Sequence, residues 1–237
     1  MKETAVTNLL SNAKTNAKTK KMLDEFGYEG VIHYMAPDVV ADGKHTVCPH
    51  STIGCRESCL YTAGRGAMRN VQDARIRKTL EFLKDKQGYA DKLVKELANL
   101  ETRALKKGYT PVARLNGTSD IPWENYIDME ALPNVRFYDY TKGYMRMQSW
   151  LRGVLPFNYH LTFSNDEHTT LAERHFILAK GGTVAMVFRD KIPDCWQMYP
   201  VISGMTHDFR FRDKTGCIIG LLARGRAKQD STGFVVD

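Results

Sequence analysis

Cys48, Cys55 and Cys59 place three of the chain's five cysteines inside twelve residues, in the spacing Cys48-x6-Cys55-x3-Cys59. Pro49 and Gly54 interrupt the stretch and Thr62-Ala63-Gly64-Arg65-Gly66 follows it, so it reads as an irregular loop whose sulfurs turn towards one centre. Iron-sulfur clusters are held by thiolates on loops of this kind, where free backbone amides reach the sulfides. Three thiolates ligate three irons of a 4Fe-4S cluster. The fourth iron is then left to another residue, to water or to a small molecule, and reactivity would reside there. Zinc is the competing centre, since the three cysteines with His50 or His45 make a Cys3His set. Against zinc, one gap is six residues where paired knuckles use two to four, and His50 stands only two residues from Cys48. Three unligated cysteines are the remaining reading.

Other chemistry is weaker. Cys217 opens the apolar run Ile218-Ile219-Gly220 and reads as a small buried hydrophobe. Cys195, between Pro193 and Trp196 in a loop, is the spare fourth ligand. His33, His160 and His175 fall in strands or on a helix and read as structural. Gly64-Arg65-Gly66 lacks the Lys-Ser/Thr of a phosphate loop, and no Gly-x-Ser-x-Gly elbow is present. Arg136-Phe137-Tyr138 and Phe209-Arg210-Phe211-Arg212 have the cation and aromatic content to stack bases, although alternation of core and surface explains them equally.

The elements that must position the cysteines follow from periodicity. Val31-Ile32-His33-Tyr34-Met35-Ala36-Pro37 is β-branched and aromatic and closes on a proline, which predicts a first strand. The cysteine loop follows it. Two amphipathic helices come next, one on Ile76, Leu80 and Leu83, the other on Ala90, Leu93, Val94, Leu97, Ala104 and Leu105, with a break near Gln87-Gly88. Gly108 ends the second, and a strand is predicted over 110–116. A short helix over 123–132, a strand over 135–140, a helix over 144–152, and strands over 159–163 and 183–188 continue the alternation. Asn165 or Asp166 is suited to cap the helix between the last two. Strands over 199–202 and 218–223 have no convincing helix between them.

Strands alternating with helices specify a mainly parallel sheet with helical cover, because parallel neighbours need long crossovers. Six or seven strands suit a partial or irregular (β/α) barrel, with an open doubly wound sheet as the alternative. Residues 1–22 read as a mobile N-terminal arm and 23–237 as one barrel-like domain. In such folds ligands gather at the C-terminal strand ends. Polar runs stand there: Asn116-Gly117-Thr118-Ser119-Asp120, Asp139-Tyr140-Thr141-Lys142 and Ser164-Asn165-Asp166. Asn116, Ser119, Asp120, Asp139, Lys142 and Asn165 are therefore the candidate lining of a cofactor or ligand face. Each of them also suits a helix cap or turn.

The chain of 237 residues is 43% hydrophobic and 26% charged, the composition of a globular protein. It has no apolar run of about 18 residues and no apolar signal core, so a cytoplasmic setting without a membrane partner is expected. An odd cysteine count without an export signal argues for free thiols rather than disulfides. The charge of +7 and pI near 9.1 would favour nucleic acid. The surplus sits at Lys14, Lys18, Lys20 and Lys21 and between Arg69 and Lys107, where Asp73, Glu81, Asp85, Asp91, Glu96 and Glu101 are interspersed at helical spacing, as on solvated helix faces.

The motifs Cys48-Pro49-His50-Ser51-Thr52-x-Gly54-Cys55-x3-Cys59-Leu60-x-Thr62-Ala63-Gly64-Arg65-Gly66, Arg114-Leu115-Asn116-x-x-Ser119-Asp120-Ile121-Pro122-Trp123-Glu124, Phe137-Tyr138-Asp139-Tyr140-Thr141-Lys142 and Asn158-Tyr159-His160-Leu161-Thr162-Phe163-Ser164 resemble the blocks of a phage-encoded family labelled gene product eighty-eight. The resemblance runs from about Gly30 to the C-terminus. It implies a viral or prophage protein of an infected host cell's cytoplasm that carries an iron-sulfur cluster. The chain is more distantly similar to the radical S-adenosylmethionine enzymes, which place a three-cysteine loop after the first strand of a partial barrel. Their spacing is C-x3-C-x2-C, and the departure here weighs against S-adenosylmethionine as a second cofactor, though not against the cluster. The expected function is a 4Fe-4S protein ligated by Cys48, Cys55 and Cys59 and served by a small molecule or an electron donor. If it is an enzyme, its chemistry is redox or radical S-adenosylmethionine-like. The alternative is a nucleic-acid-binding protein with a structural metal site, zinc or iron-sulfur.

Overall fold

The structure, a computed structural model, describes residues 8–11 and 17–237. The chain divides into two compact units. The first comprises Met1–Pro49 and Ala67–Phe137, the second His50–Gly66 and Tyr138–Asp237. Among the described residues there are nine strands in a mainly parallel arrangement with helices in the connections.

In the first unit, α1 (Ala17–Phe26) ends at Gly27, whose φ of 68° lets the chain reverse into β1 (Tyr28–Ile32). The start of α1 falls within the stretch 1–22 read as an N-terminal arm, where one helical turn was expected. Residues 8–11 are also docked: Leu9 is buried, the Leu9 and Leu10 amides donate to the Glu96 carboxylate at 2.7 and 3.0 Å, and Leu10 bridges His33. Positions 1–7 and 12–16 of that arm lie outside the described residues.

β1 pairs in parallel with β2 (Thr110–Arg114), and β2 with the start of β3 (Arg136–Thr141). β1 ends earlier than predicted because Tyr34–Pro37 bends away: the Ala36 amide donates to Thr79 Oγ1 at 2.9 Å, and Met35 and Ala36 are fully buried. The crossover from β1 to β2 passes through α2 (Ile53–Glu57), α3 (Arg69–Lys84) and α4 (Lys86–Leu105). The break between the last two falls at Asp85, whose carboxylate caps α4 through the Gly88 amide at 2.9 Å. The helix predicted over 123–132 is one 3-10 turn, Trp123–Asn125. Asp128 accepts from the Glu130 and Ala131 amides, a local turn that competes with helix.

α4 buries Tyr89, Ala90, Leu93, Leu97, Leu100 and Ala104 on one face. His33, wholly buried, sits with Phe82, Tyr89 and Trp123. The Leu115 carbonyl, 3.0 Å from Nδ1, can only accept, so Nδ1 carries the proton; Nε2 accepts from the Tyr89 hydroxyl at 2.7 Å.

In the second unit the strands run in the order β3, β4 (Tyr159–Ser164), β5 (Val184–Phe188), β8 (Ile218–Leu222), β7 (Tyr199–Ser203) and β6 (Cys195–Trp196), with β9 (Val235–Val236) against β5. α5 (Tyr144–Leu151) and α6 (Leu171–Ala179) are the crossovers. α6 is capped by Thr170 and Glu173 in a reciprocal box, not by Asn165 or Asp166. β8 is parallel to both β5 and β7, and the β6–β7 pair is an antiparallel hairpin. Phe209 and Phe211 pack on the Tyr138 ring, and the wholly buried Arg210 pairs with Asp213 at 3.1 Å. Phe209 and Arg210 are therefore core, while Phe211 is half-buried and Arg212 exposed, an alternation of core and surface.

Candidate functional site

The division between the units falls at Pro49–His50, inside the cysteine stretch, so each part has its own surroundings. Cys48 belongs to the first unit, beyond the C-terminal ends of β1 and β2. Its sulfur accepts from the Asp38 amide at 3.2 Å and lies 3.7 Å from the Thr118 carbonyl. The Asp120 amide donates to the Val47 carbonyl at 2.9 Å, so the polar segment after β2 holds the approach to Cys48. Asn116 organises that segment internally. Its Oδ1 accepts from Ser119 Oγ at 2.8 Å and from the Ile121 amide at 2.9 Å, while its Nδ2 donates to the Ile121 carbonyl at 2.9 Å. Asn116, Ser119 and Asp120 thus position the loop around Cys48, with Asn116 and Asp120 buried.

Cys55 and Cys59 belong to the second unit. Thr52 caps α2, accepting the Cys55 amide at 3.1 Å. Glu167, just beyond the C-terminal end of β4, braces this turn, taking the Gly54 amide at 2.8 Å and the Thr52 hydroxyl at 2.8 Å. Only glycine fits at 54, because an added Cβ would stand 2.2 Å from Thr232 Oγ1 and 2.5 Å from Phe234 Cβ. Cys59 passes directly into the 3-10 turn Leu60–Thr62, its carbonyl accepting the Thr62 amide and hydroxyl.

Lys142, at the end of β3, is the cation of this region. Its Nζ donates to Ser164 Oγ at 3.1 Å and to the carbonyls of Ser164 and Asn165 at 3.2 and 3.1 Å. It stands 3.9 Å from Asp166 and over the Phe234 ring. Burial pushes the Cys55 thiol pKa up and the Lys142 charge draws it down, while Cys59, Asp166 and Glu167 add to the rise. Burial also raises Glu167, but its hydrogen bonds from backbone amides, those of Glu167 and Gly54 foremost, and from Thr52 outweigh that and hold its carboxyl below its ordinary value. Asn165 receives Arg174 Nη1 on its Oδ1 at 3.1 Å. Asp139 turns elsewhere: it is wholly buried and accepts from the Tyr159 hydroxyl at 2.9 Å.

Lys142 and Asn165 are therefore gathered with the Cys55 turn, whereas Asn116, Ser119 and Asp120 brace the segment of Cys48. Sequence reasoning missed Glu167 as the brace of the loop, Asp38 as the donor to Cys48 and Arg174 altogether. An Asp-Glu pair after a strand was visible but reads as the start of a helix; Asp38 and Arg174 carry no local signal. Several of the basic residues between Arg69 and Lys107 are engaged. Lys92 pairs with Glu81, Arg103 and Lys107 with Glu29, and Lys78 donates to the Leu9 carbonyl.

All five cysteines are free thiols. Among the described residues no three His, Cys, Asp or Glu side chains stand together as a ligand set for a metal ion, and no helix is long and apolar enough to cross a membrane. What fits an iron-sulfur centre is the donor chemistry: thiols within twelve residues, an amide directed at one sulfur, and a lysine charge that partly offsets the burial raising the pKa of another. The family described as Gene product 88 matches residues 8–237. No curated protein and no solved structure matches the chain.

Proposed function

We propose that this chain, which belongs to the Gene product 88 family, is an iron-sulfur protein of the phage type whose 4Fe-4S cluster is held by Cys48, Cys55 and Cys59. The observation that carries the reading is the bracing of the cysteine turn at a C-terminal strand end: Glu167 fixes Gly54 and Thr52 on either side of the approach to Cys55, and Lys142 supplies the positive charge beside it. A bound cluster would supply one-electron chemistry and an iron left open to a small molecule or an electron donor. The chain's own part is to hold the turn, to screen Cys55 from water, and to offset through Lys142 part of the rise in the Cys55 pKa that this burial causes. Ligation takes thiolates, so binding releases protons and weakens in acid.

The finer reading of the fold belongs to the same proposal. Parallel strands β1 to β5 joined through helices support a partial (β/α) barrel over an open doubly wound sheet. The setting that goes with it is the cytoplasm of an infected host cell. S-adenosylmethionine is the weaker second cofactor, since the cysteine spacing departs from the pattern of the enzymes that use it.

Anaerobic reconstitution followed by iron and sulfide analysis tests the reading. The expected result is about four irons and four sulfides per chain, with broad absorption near 400 nm from thiolate-to-iron charge transfer. Stoichiometric zinc without iron would overturn it. Spin-resonance spectra before and after adding S-adenosylmethionine separate an iron that accepts that ligand from one that does not.

A further inference from the structure

The second unit contains an open cleft of about 390 Å³ lined by Asn165, Thr169, Arg174, Trp196 and Gln197, with Asp166 and Glu167 at its wall. Arg174 is its distinguishing group. Nη1 donates to Asn165 Oδ1 at 3.1 Å and to the Thr169 carbonyl at 2.6 Å, Nη2 faces Gln197 Oε1 at 3.4 Å, and the guanidinium stacks 5.1 Å from the Trp196 ring centre. Nε is buried without a partner. The groups it hydrogen-bonds are neutral; partial burial draws the Arg174 pKa down and outweighs the opposing pull of the Glu173 charge. The two carboxylates at the wall are committed elsewhere: Asp166 to the His168 and Thr169 amides and towards Lys142, Glu167 to Gly54 and Thr52.

The hairpin that brings Trp196 and Gln197 to this cation is strained. Gln197 and Met198 are the two turn residues and both are left-handed, with φ of 46° and 69°. Glycine or asparagine is the usual occupant of such positions, and each ordinary side chain there costs about 1 kcal/mol or more. Strain of this kind persists at ligand clamps.

We propose that this cleft binds a small molecule through an oxyanion, a carboxylate or a phosphate, received by Arg174 with Trp196 and Gln197 closing over it. A guanidinium whose Nε–H lacks a partner keeps one unused donor for such a group, which a small turn of the side chain brings to the cleft, and the volume is that of a metabolite site. The inference does not depend on the cluster, since every residue it uses lies outside the cysteine stretch.

The test is titration of the full-length protein with inorganic phosphate and, separately, with acetate at constant ionic strength, following arginine Nε–H resonances. One resonance is expected to shift saturably, and its absence from the spectrum of Arg174→Gln identifies it. Tighter binding of phosphate assigns a phosphate ester, tighter binding of acetate a carboxylate. Arg174→Lys keeps the charge without the guanidinium and is expected to weaken binding about tenfold. If Arg174→Gln does not fold, Gln197→Ala in the hairpin is expected to weaken the same shift severalfold. No saturable shift, or equal affinity in the lysine variant, would overturn the proposal.

Discussion

Glu167 and Gly54 meet at 2.8 Å across 113 residues of chain, and this contact ties the cysteine turn to the end of β4. The same carboxylate takes the Thr52 hydroxyl, so one side chain receives both donors that frame the approach to Cys55. Each donor needs an acceptor, which is what makes the position exacting.

Glu167→Gln should loosen the turn, because the amide offers one acceptor oxygen and turns an NH2 towards the other donor. The expected loss of stability is about 1 kcal/mol, kept small by partial exposure, and iron should leave the variant faster under a chelator. Denaturant melts and chelation rates read the two effects. Because the Glu167 pKa is depressed in the folded protein, its contribution is present above the ordinary carboxylate range and fades as pH falls through the folded value.

His33 sets a second pH dependence. Burial first and the Lys78 charge second lower its pKa to about 3, so between pH 6.5 and 3 the unfolded chain binds a proton that the folded one does not. Stability must fall as pH drops below about 6.5, by about 2 kcal/mol at pH 5. Urea melts at pH 7 and pH 5 should show that fall in the wild type and a much flatter response in His33→Gln. Equal slopes in the two proteins would contradict the assignment.

Four of the five cysteines, 48, 55, 59 and 217, should separate into two classes. Alanine at 48, 55 or 59 is expected to abolish iron incorporation while leaving a folded protein. Cys217→Ala should do the reverse: its thiol is buried and donates to the Lys214 carbonyl at 2.7 Å, so the variant loses about 1–2 kcal/mol and retains iron. Iron content paired with thermal melts distinguishes the classes.

Gly54→Ala should cost about 2–3 kcal/mol. The Thr232 hydroxyl can rotate away from a new methyl, but Phe234 Cβ moves only with its backbone. Differential scanning calorimetry measures the loss, and an unchanged melting temperature would show that the C-terminal segment yields freely.

Most of the parallel α/β order was legible because it rests on runs of like residues, such as the apolar face of α4 and the apolar stretch of β5. Its departures come from single side chains acting locally. Asp85 moved the helix break, Asp128 replaced a helix with a turn, and Thr170 took the cap expected of Asn165 or Asp166. The site was legible in the same uneven way. The cysteines announce themselves by type and spacing, and Lys142 and Asn165 by following strands. Glu167 and Arg174 act through partners distant in sequence, and a linear pattern holds no trace of a contact spanning 113 residues.

That contact also has an order of synthesis. The cysteine turn leaves the ribosome 113 residues ahead of the carboxylate that braces it, a delay of roughly 6 to 20 s at ordinary elongation rates. During that interval Cys55 and Cys59 stand on a nascent chain without their anchor. Loading of the proposed cluster would therefore follow the synthesis of Glu167, just beyond β4, and ribosome-bound fragments ending before Glu167 are expected to bind iron poorly.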